Sequence, residues 1–428
     1  MPAKREMMKT FDRRHFIQSA VALAGVPLLP ALETSNASGR SLPLSPSADT
    51  EAYWEMVKQQ FSFQPGLYYF NNGSIGPAPA SVHLANEANQ KLADAFPSKY
   101  MWGDWDDEVE SVRQQVADLF SVVPEEIALI HNTTEGMNLI ARSFDFKPGD
   151  EVILADHEHT SGTIPWQVWQ QPKGVKLVRP ILPLLPQSKE EIVERYKKAI
   201  TPRTKIISMC HMVNTNGMIL PVKEISDMAH QRGILVAVDG AQAAGMLSVN
   251  LRELGCDFYA ASAHKWLFAP KGTGMLYAKS ESQHFLKPLI VCNGHTNKTI
   301  RRLENYNTRN LPEVLSMKSA LDFHHLIGDK KIHERSLELK NHFRSKIEND
   351  PRFRLKTPAS DSLSSAIQVV ELVGKNVNEM KEKLFMDFNI DCRPMSTFTL
   401  NGLRISLAVY LTKKDVDYLV AALEALTA

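Results

Sequence analysis

The sequence predicts an α/β fold, with a mostly parallel β-sheet between helices, followed by a smaller α+β domain. From about residue 125 to residue 279, short apolar runs alternate with longer amphipathic stretches. Strands separated by helical stretches indicate parallel pairing, because each helical crossover returns the chain to the same end of the sheet. From about residue 310 the strand-like runs become fewer, which indicates the smaller domain.

The individual elements follow from residue periodicity, with helix limits set by proline and glycine. In the large domain, strands are predicted at Ile127–Ile130, Glu151–Leu154, Lys176–Val178, Lys205–Met209, Ile234–Val238, Asp257–Ala260 and Gly274–Tyr277. Helices are predicted there at Thr134–Arg142, Thr160–Gln170, Lys189–Ile200 and Val222–Arg232. In the smaller domain, strands are predicted at Ala366–Val370, Ile390–Cys392 and Leu403–Leu407, and helices at Glu313–Ile327, Lys330–Asn349, Asn376–Phe388 and Lys413–Leu426.

The bulk composition is that of a globular chain and excludes several classes of partner. Of the 428 residues, 43% are hydrophobic, which is enough to bury a full core. The net charge is +1, so no basic excess favours nucleic acid or an anionic membrane. The four cysteines are widely spread and form no CxxC pair, which argues against a zinc ribbon or a disulfide framework.

The N-terminus has the pattern of an export signal. Arg13 and Arg14 precede the apolar segment Ala20–Leu32, and Ser35 and Ala37 provide small residues for cleavage. The apolar segment is too short and too proline-broken to span a membrane, and the paired arginines resemble a twin-arginine signal. We therefore expect a periplasmic or secreted protein. The expected domains are a signal peptide (1–37), a linker and N-terminal segment (38–65), a large domain (66–309) and a small domain (310–428).

The candidate chemistry lies just after the predicted strands, because ligands of parallel sheets bind at the carboxyl ends of the strands. Thr133 and Thr134 open a helix, where hydroxyl groups cap free amides and a phosphate is attracted. Asp239 ends an apolar strand, which is costly unless a cation meets it. The 26 residues from Asp239 to Lys265 fit one helical crossover, so both side chains are expected at the same edge of the sheet.

The segment after the second strand allows two interpretations. Asp156, His157 and His159 are acid and imidazole side chains that could hold a metal, as in a metal hydrolase. No second ligand cluster with a recognised spacing accompanies them, so the metal site is the minority hypothesis. Alternatively, a histidine here lies flat over a planar ligand at the sheet edge.

A lysine, an acid and several hydroxyl and amide donors are the groups that pyridoxal phosphate requires. Lys265 can form the Schiff base and Asp239 can hold the pyridinium proton. Phosphate donors are available at Ser262, His264 and the threonine pair Thr133/Thr134. Each signal is weak alone, but the ordered set on strand ends is strong.

The sequence resembles the class V aminotransferase family of fold-type I pyridoxal-phosphate enzymes, from about Tyr68 to the C-terminus. The segments that carry the resemblance are TTEGMNLIA (Thr133–Ala141), HEHTSGTIPWQ (His157–Gln167), HMVNTNGMILPV (His211–Val222), VDGAQAAG (Val238–Gly245), SAHKW (Ser262–Trp266), GTGMLY (Gly272–Tyr277), YNTRN (Tyr306–Asn310) and LRISLAVYLT (Leu403–Thr412). YYFNNGSIGPAP (Tyr68–Pro79) and NTRNLP (Asn307–Pro312) resemble the isopenicillin N epimerase-like branch, which is related to cysteine desulfurases.

The resemblance implies a role for each matching residue in binding the cofactor ring. Lys265 would hold the cofactor as the internal aldimine and later move the Cα proton. Asp239 would pair with the pyridine nitrogen, and His159 would stack on the ring face. Gln242 and Asn214 would hydrogen-bond the phenolate oxygen of the ring.

Phosphate and substrate contacts are implied in the same way. Thr133, Thr134, Ser262 and His264 would bind the phosphate, and Thr308 resembles the residue that reaches it from the other subunit of a homodimer. Arg404 resembles the arginine that clamps a substrate carboxylate, for which a planar bidentate donor is suited. Asn72 either helps to hold that carboxylate or is a turn asparagine before Gly73.

One departure from the family bears on the reaction. Desulfurases of the family carry a mobile cysteine before the arginine strand, whereas Ile390–Arg404 reads IDCRPMSTFTLNGLR, with Cys392 on the predicted strand itself. Arg393 is either a second anion-binding group or a solvated arginine. We therefore expect an aminotransferase or epimerase acting at the α-carbon of an amino acid or short peptide-like amine. The alternatives are a C–S lyase without the usual cysteine and an exported, non-catalytic binding protein on the same fold.

Overall fold

A computed structural model describes residues 50–396 and 400–427, so the predicted signal at 1–37 lies outside the described residues. Its helices are α1 Glu51–Lys58, α2 Ala80–Ala95, α3 Pro97–Lys99, α4 Asp106–Leu119, α5 Thr133–Arg142, α6 Thr160–Gln167, α7 Gln170–Lys173, α8 Lys189–Ala199, α9 Val222–His230, α10 Leu251–Leu254, α11 Leu311–Ile327, α12 Asp329–Ile347, α13 Val377–Phe388 and α14 Lys413–Ala425. Its strands are β1 Tyr68–Tyr69, β2 Ile127–Ile130, β3 Glu151–Ile153, β4 Lys176–Val178, β5 Thr204–Cys210, β6 Leu235–Asp239, β7 Phe258–Ser262, β8 Gly274–Ala278, β9 Phe353–Leu355, β10 Ile367–Leu372, β11 Ile390–Asp391, β12 Arg393–Ser396 and β13 Asn401–Ser406.

The predicted mostly parallel sheet is confirmed. Seven strands lie in the order β2-β8-β7-β6-β5-β3-β4, and only β8 pairs antiparallel with its neighbours. Strands β2, β7 and β8 are buried along their whole length, as expected for a sheet covered by helices on both faces. The carboxyl ends of the six parallel strands therefore meet at one edge of the sheet.

The predicted elements of the large sheet lie within a few residues of the observed ones, with one interruption. The helix expected at Thr160–Gln170 ends at Gln167, and a separate turn of helix, α7, follows. Trp169, between the two, donates its indole N–H to the carbonyl of Ala141 at 2.8 Å, which ties the break to the end of α5. Helices α2 and α4, before the first predicted strand, were not predicted.

The C-terminal part contains a four-stranded antiparallel sheet in the order β12-β13-β10-β9. The prediction that Cys392 lies on a strand is wrong, because Cys392 separates β11 from β12. The chain changes partners at this residue: β11 pairs in parallel with β1, whereas β12 pairs with β13. Residues 68–69, predicted to open the large domain, therefore pair with the C-terminal part.

The N-terminal helix α1 is held against the C-terminal part by ion pairs. Lys58 contacts Asp415 of α14 at 2.7 Å, and Glu51 contacts Arg335 of α12 at 2.6 Å. Among the described residues, no helix combines the length and the apolar character needed to cross a membrane.

Candidate active site

The first turn of α5 and the end of β7 form a cradle of hydroxyl and amide groups. The side chain of Asn132 caps the helix by accepting the backbone N–H of Glu135 at 3.0 Å. The Ser262 hydroxyl oxygen accepts the backbone N–H of Thr133 at 2.9 Å and lies 2.9 Å from the Thr133 hydroxyl. A helix N-terminus with two hydroxyl groups beside it is a site for a phosphate.

This cradle opens into a cavity of about 190 Å³ at the carboxyl edge of the sheet. Nine of the residues predicted to bind the cofactor line it: Thr133, Thr134, His159, Asn214, Asp239, Gln242, Ser262, His264 and Lys265. The other lining residues are Asn132, Ser161, Cys210, Met212 and Ala241. The folded chain thus brings together side chains from five separate stretches of sequence.

Asp239 and Lys265 both face this cavity, at the ends of neighbouring parallel strands. Asp239 is buried at the end of β6, where its Oδ1 accepts the backbone N–H of Ala241 at 3.0 Å. Burial raises the pKa of the Asp239 carboxyl, although the charge of Lys265 opposes that shift. A nearby cation is therefore needed to stabilise the charged form of the Asp239 carboxyl.

The Lys265 amine lies in a site that disfavours its charged form. Burial lowers the pKa of the amine, and the nearby charges of Arg404 and Arg393 lower it further, against the opposing effect of Asp239. Among the described residues, the Lys265 amine has no ion-pair partner within 4.0 Å and no hydrogen-bond partner. An unpartnered amine with a lowered pKa is suited to forming a Schiff base.

His159 and Glu158 lie side by side where the chain leaves β3. The Nδ1 of His159 accepts the backbone N–H of Ser161 at 3.2 Å and so caps α6. Burial lowers the pKa of His159, which keeps its ring neutral near pH 7. Glu158 Oε1 accepts the backbone N–H of Cys210 at 3.1 Å, and burial raises the pKa of this carboxyl to about 8.

His264 and Gln242 differ in the number of hydrogen bonds that their side chains make within the protein. The Nδ1 of His264 is buried and has no hydrogen-bond partner among the described residues, and burial lowers the pKa of the ring to about 4. Gln242 donates to the carbonyl of Gly73 at 2.7 Å and accepts the indole N–H of Trp266 at 2.9 Å. Trp266 therefore orients Gln242, which keeps one amide N–H for a ligand.

Arg404 lies beside the cavity, buried on β13, with neutral oxygens as its partners. Its guanidinium donates to the carbonyl of Asn214 at 2.9 Å and to the Ser74 hydroxyl at 2.6 Å, while its Nε has no partner among the described residues. Burial and the nearby charge of Arg393 lower the pKa of Arg404 to about 10. A buried cation of this kind, with no carboxylate of the described residues beside it, is suited to an incoming anion.

The remaining predicted site residues do not line the cavity. Asn72 is fully buried, and its amide contacts the carbonyl of Lys265 and the Tyr410 hydroxyl, both at 3.4 Å. Asn72 thus links its loop to the lysine segment, and its role, in holding the carboxylate or in the turn before Gly73, stays a prediction. Thr308 is exposed on a loop next to Asn307, which has φ of 57°.

Several residues of the site were not predicted. Cys210 ends β5, and Asn132 lies two residues after the end of β2, so the rule that placed the other candidates at strand ends could have found them. Glu158 lies inside a segment singled out for its histidines. Asn71 and Ser74, which contact Arg404, carry no local signal because the contact spans about 330 residues.

The alternative metal site is not assembled. Asp156 accepts the backbone N–H of Leu182 at 3.1 Å, and its Oδ1 is 4.0 Å from His157. Within residues 50–396 and 400–427, no group of three or more His, Cys, Asp or Glu side chains is arranged to hold a metal ion.

The donor set of the cavity fits pyridoxal 5′-phosphate. The helix N-terminus, the Ser262 and Thr133 hydroxyl groups and the unpartnered His264 nitrogen suit a phosphate. The Lys265 amine suits an aldehyde, and the buried Asp239 carboxylate suits a pyridinium nitrogen.

Comparison with known proteins assigns the family. The profile of the class-V aminotransferases (Aminotransferase class-V) matches residues 99–419. The chain belongs to the class-V aminotransferase family. It is therefore an enzyme with pyridoxal 5′-phosphate as its cofactor, as the sequence predicted.

Relatives of this class-V family member include two kinds of named enzyme. Isopenicillin N epimerase of Streptomyces clavuligerus is 32% identical over 88% of the chain and 99% of its own length. A probable cysteine desulfurase of Xylella fastidiosa is 26% identical over 89% and 97%.

Solved structures confirm the fold-type I architecture. The cysteine desulfurase CsdA of Escherichia coli has a TM-score of 0.78 at 26% identity and covers 88% of this chain and 98% of its own. The C–S lyase C-DES, solved with glycine covalently linked to its PLP cofactor, has a TM-score of 0.77 at 20% identity and covers 86% and 98%; at that identity the likeness concerns the fold alone.

Proposed function

We propose that this enzyme moves a proton at the α-carbon of an amino acid, or of a short peptide-like amine, whose α-carboxylate it binds. The outcome is epimerisation or transamination. The observation that carries the proposal is that Lys265 and Asp239 face one cavity, with Arg404 beside it. The two isopenicillin N epimerases, 32% and 30% identical over almost their whole lengths, support chemistry at the α-carbon.

We assign the cofactor contacts from the positions of the side chains around the cavity. Thr133, Thr134, Ser262 and His264 would hold the phosphate at the N-terminus of α5. Asp239 would hold the pyridine nitrogen and His159 the ring face, while Gln242 and Asn214 would reach the phenolate oxygen. Lys265 would attach the cofactor covalently.

The bound cofactor supplies an electron sink that acidifies the α-hydrogen of the substrate. Burial lowers the pKa of the Lys265 amine, which favours its uncharged form, and the uncharged amine is the one that can accept that proton. The buried Asp239 carboxylate would hold positive charge at the ring nitrogen. Arg404 would fix the α-carboxylate, which sets the direction in which the α-hydrogen points.

C–S cleavage is the second candidate, favoured by the desulfurases among the relatives. A desulfurase that forms a persulfide needs a reactive thiolate. Cys392 is buried, and burial raises its pKa to about 12, while Cys210 in the cavity wall also has a raised pKa because of burial. The thiols near the site are therefore poor nucleophiles, which favours a lyase without a cysteine over a persulfide-forming enzyme.

Borohydride reduction tests the attachment of the cofactor. Treatment of the yellow holoenzyme should leave a pyridoxyl group on the peptide that contains Lys265, found by mass spectrometry. Lys265→Ala should lose both the adduct and the visible band. Lys271→Ala changes an exposed lysine six residues further on and should keep both. An adduct on another lysine, or none, contradicts the proposal.

Turnover in deuterated water tests the reaction. Holoenzyme incubated with L- and D-amino acids should exchange the α-hydrogen for deuterium, whichever product follows. Inverted amino acid, keto acid and sulfide are then measured in parallel to identify the outcome. A yellow protein that exchanges no α-hydrogen would instead support the non-catalytic binding protein.

We also propose a homodimer in which Thr308 reaches the phosphate in the partner's site. The loop that carries Thr308 is exposed but firmly held: Arg309 donates to the carbonyl of Leu129 at 2.9 Å, and Tyr306 packs edge-on against His131. Mixing Lys265→Ala with Thr308→Ala subunits should create one complete site per mixed dimer, with wild-type cofactor affinity. If Thr308 acts within its own subunit, or not at all, mixing restores nothing.

We also propose that the protein is exported. Arg13 and Arg14 lie outside the described residues, and the support for a periplasmic or secreted location is their sequence pattern alone. Replacing both by lysine should retain the protein in the cytoplasm, measured by cell fractionation. Lys4→Arg is a matched change in the same segment that should leave export unchanged.

A further inference from the structure

Two arginines lie directly opposite each other at the edge of the site. Arg393 on β12 and Arg404 on β13 are cross-strand partners in the antiparallel register. Both reach the same serine: the Ser74 hydroxyl oxygen is 2.6 Å from Arg404 Nη2 and 3.4 Å from Arg393 Nη1. Like charges directly opposite each other destabilise a sheet, so an anion bound between the two arginines would stabilise this pair.

The part of the chain that the structure describes does not supply that anion. Among the described residues, no carboxylate lies within 4.0 Å of either guanidinium, whereas the buried Arg335 has two such carboxylates, from Glu51 and Glu338. Asp391, two residues before Arg393, accepts the side-chain amide of Asn71 at 3.1 Å instead. Arg393 is exposed, and within residues 50–396 and 400–427 the one hydrogen bond of its side chain is the long contact to Ser74.

Both charges act on the catalytic cavity. The positive charges of Arg393 and Arg404 contribute to lowering the pKa of Lys265 and of His159. The Nε of Arg404 has no partner among the described residues, and the adjacent Nη2 contacts the neutral oxygens of Ser74 and Asn71, so this edge of the guanidinium can hold one carboxylate. The five donors of Arg393 then remain almost unused beside the same cavity.

We propose that the substrate carries a second anionic group, so that the enzyme prefers α-amino acids with an acidic side chain. Arg404 takes the α-carboxylate and Arg393 takes the side-chain acid. This inference rests on the proposed function, because it assumes that the α-carboxylate binds at Arg404. Arg393 is thus a specificity-determining residue, and the substrate's second charge neutralises the arginine pair.

The test compares acidic amino acids with their uncharged amides. L- and D-aspartate and glutamate are titrated into holoenzyme in parallel with asparagine and glutamine, and the change in the visible spectrum and kcat/KM are both measured. Wild-type enzyme should prefer each acid over its amide by about tenfold or more. Arg393→Gln should remove this preference by weakening the acids only, and Arg393→Lys, which keeps the charge but not the planar fork, should keep part of it.

The acid preference is checked with a matched control variant, and three outcomes would contradict the inference. Arg354→Gln changes an exposed arginine on β9 of the same sheet and should leave the preference unchanged. Equal weakening of acids and amides by Arg393→Gln would mean that both arginines hold the α-carboxylate, which overturns the inference. An absence of acid preference in the wild type also overturns it while leaving the proposed function intact. A holoenzyme with the Lys265 adduct that responds to no amino acid overturns both.

Discussion

The Ser262 hydroxyl oxygen lies 2.9 Å from both the backbone nitrogen and the hydroxyl of Thr133, 129 residues earlier in the chain. This contact joins the end of β7 to the first turn of α5. It therefore holds together the two elements from which the phosphate donors project, and both residues line the cavity.

Ser262→Ala should weaken cofactor binding because it removes the Ser262 hydroxyl and leaves the Thr133 hydroxyl and backbone N–H without the contact that positions them. We expect the Kd for pyridoxal phosphate to rise about tenfold, which corresponds to the loss of one hydrogen bond to a charged group. Fluorescence titration of the apoenzyme measures it.

Ser143→Ala is the matched control for this change. Ser143 is also buried and follows the other end of α5, where its hydroxyl accepts the backbone N–H of Lys287 at 2.9 Å. This variant should lose about 1 kcal/mol of stability without a change in Kd. Equal affinities of the Ser262 variant and the wild type would exclude a role of Ser262 in phosphate binding.

Asp239→Asn should keep the shape of the site but lose its negative charge. The asparagine oxygen can still accept the N–H of Ala241, so the fold should be preserved. We expect kcat to fall about 100-fold or more, because the ring nitrogen loses its charge partner. Steady-state kinetics with saturating cofactor measure the fall.

Asp257→Asn provides the comparison for Asp239. Asp257 is a buried acid directly before β7, 2.9 Å from His230 Nε2 and not among the residues that line the cavity. Its loss should lower the free energy of unfolding but leave kcat unchanged. Similar kcat losses in both variants would attribute the Asp239 effect to general destabilisation.

Arg404→Lys should weaken substrate binding without affecting the cofactor. Lysine cannot present the planar fork of arginine to a carboxylate, so KM should rise about 10- to 100-fold. The Kd for pyridoxal phosphate should stay the same. Arg335→Lys changes another buried arginine, one that pairs with Glu51, and should alter stability alone. Release of the cofactor from the Arg404 variant would show that this arginine belongs to the cofactor site.

Acidification below pH 6.5 should destabilise the enzyme through its buried histidines. Burial lowers the pKa of His211 to about 4, and its Nδ1 lies 3.1 Å from the Tyr259 hydroxyl. Between pH 6.5 and about 4 the unfolded chain binds a proton that the folded chain does not, so stability falls as the pH falls. At pH 5 this histidine should cost roughly 2 kcal/mol relative to pH 7.5.

Denaturant unfolding at pH 7.5 and 5.0 measures this effect. His211→Gln should lose less stability than the wild type on acidification, because it cannot take up the proton. His83→Gln, at an exposed site on α2, should behave like the wild type. An unchanged pH dependence in the His211 variant would show that His211 does not contribute to acid sensitivity.

The sequence by itself determined the fold class and most of the cavity. Apolar strands and amphipathic helices are local patterns, and the parallel order they imply brings Thr133, Asp239 and Lys265 to one edge of the sheet. The family resemblance added Gln242 and Asn214, which line the cavity as expected. These residues could be predicted because each follows directly from a strand or belongs to a short motif.

Only the tertiary structure decided how the site is held and how its charges are balanced. It showed that Ser74 contacts Arg404 across 330 residues, that Gln242 lies between Gly73 and Trp266, and that Cys392 separates two strands. It also placed Arg393 opposite Arg404, with no carboxylate of the described residues within 4.0 Å of either guanidinium. Such contacts join segments that are distant in sequence. Local periodicity cannot predict them, because they arise only when the separately formed elements pack together.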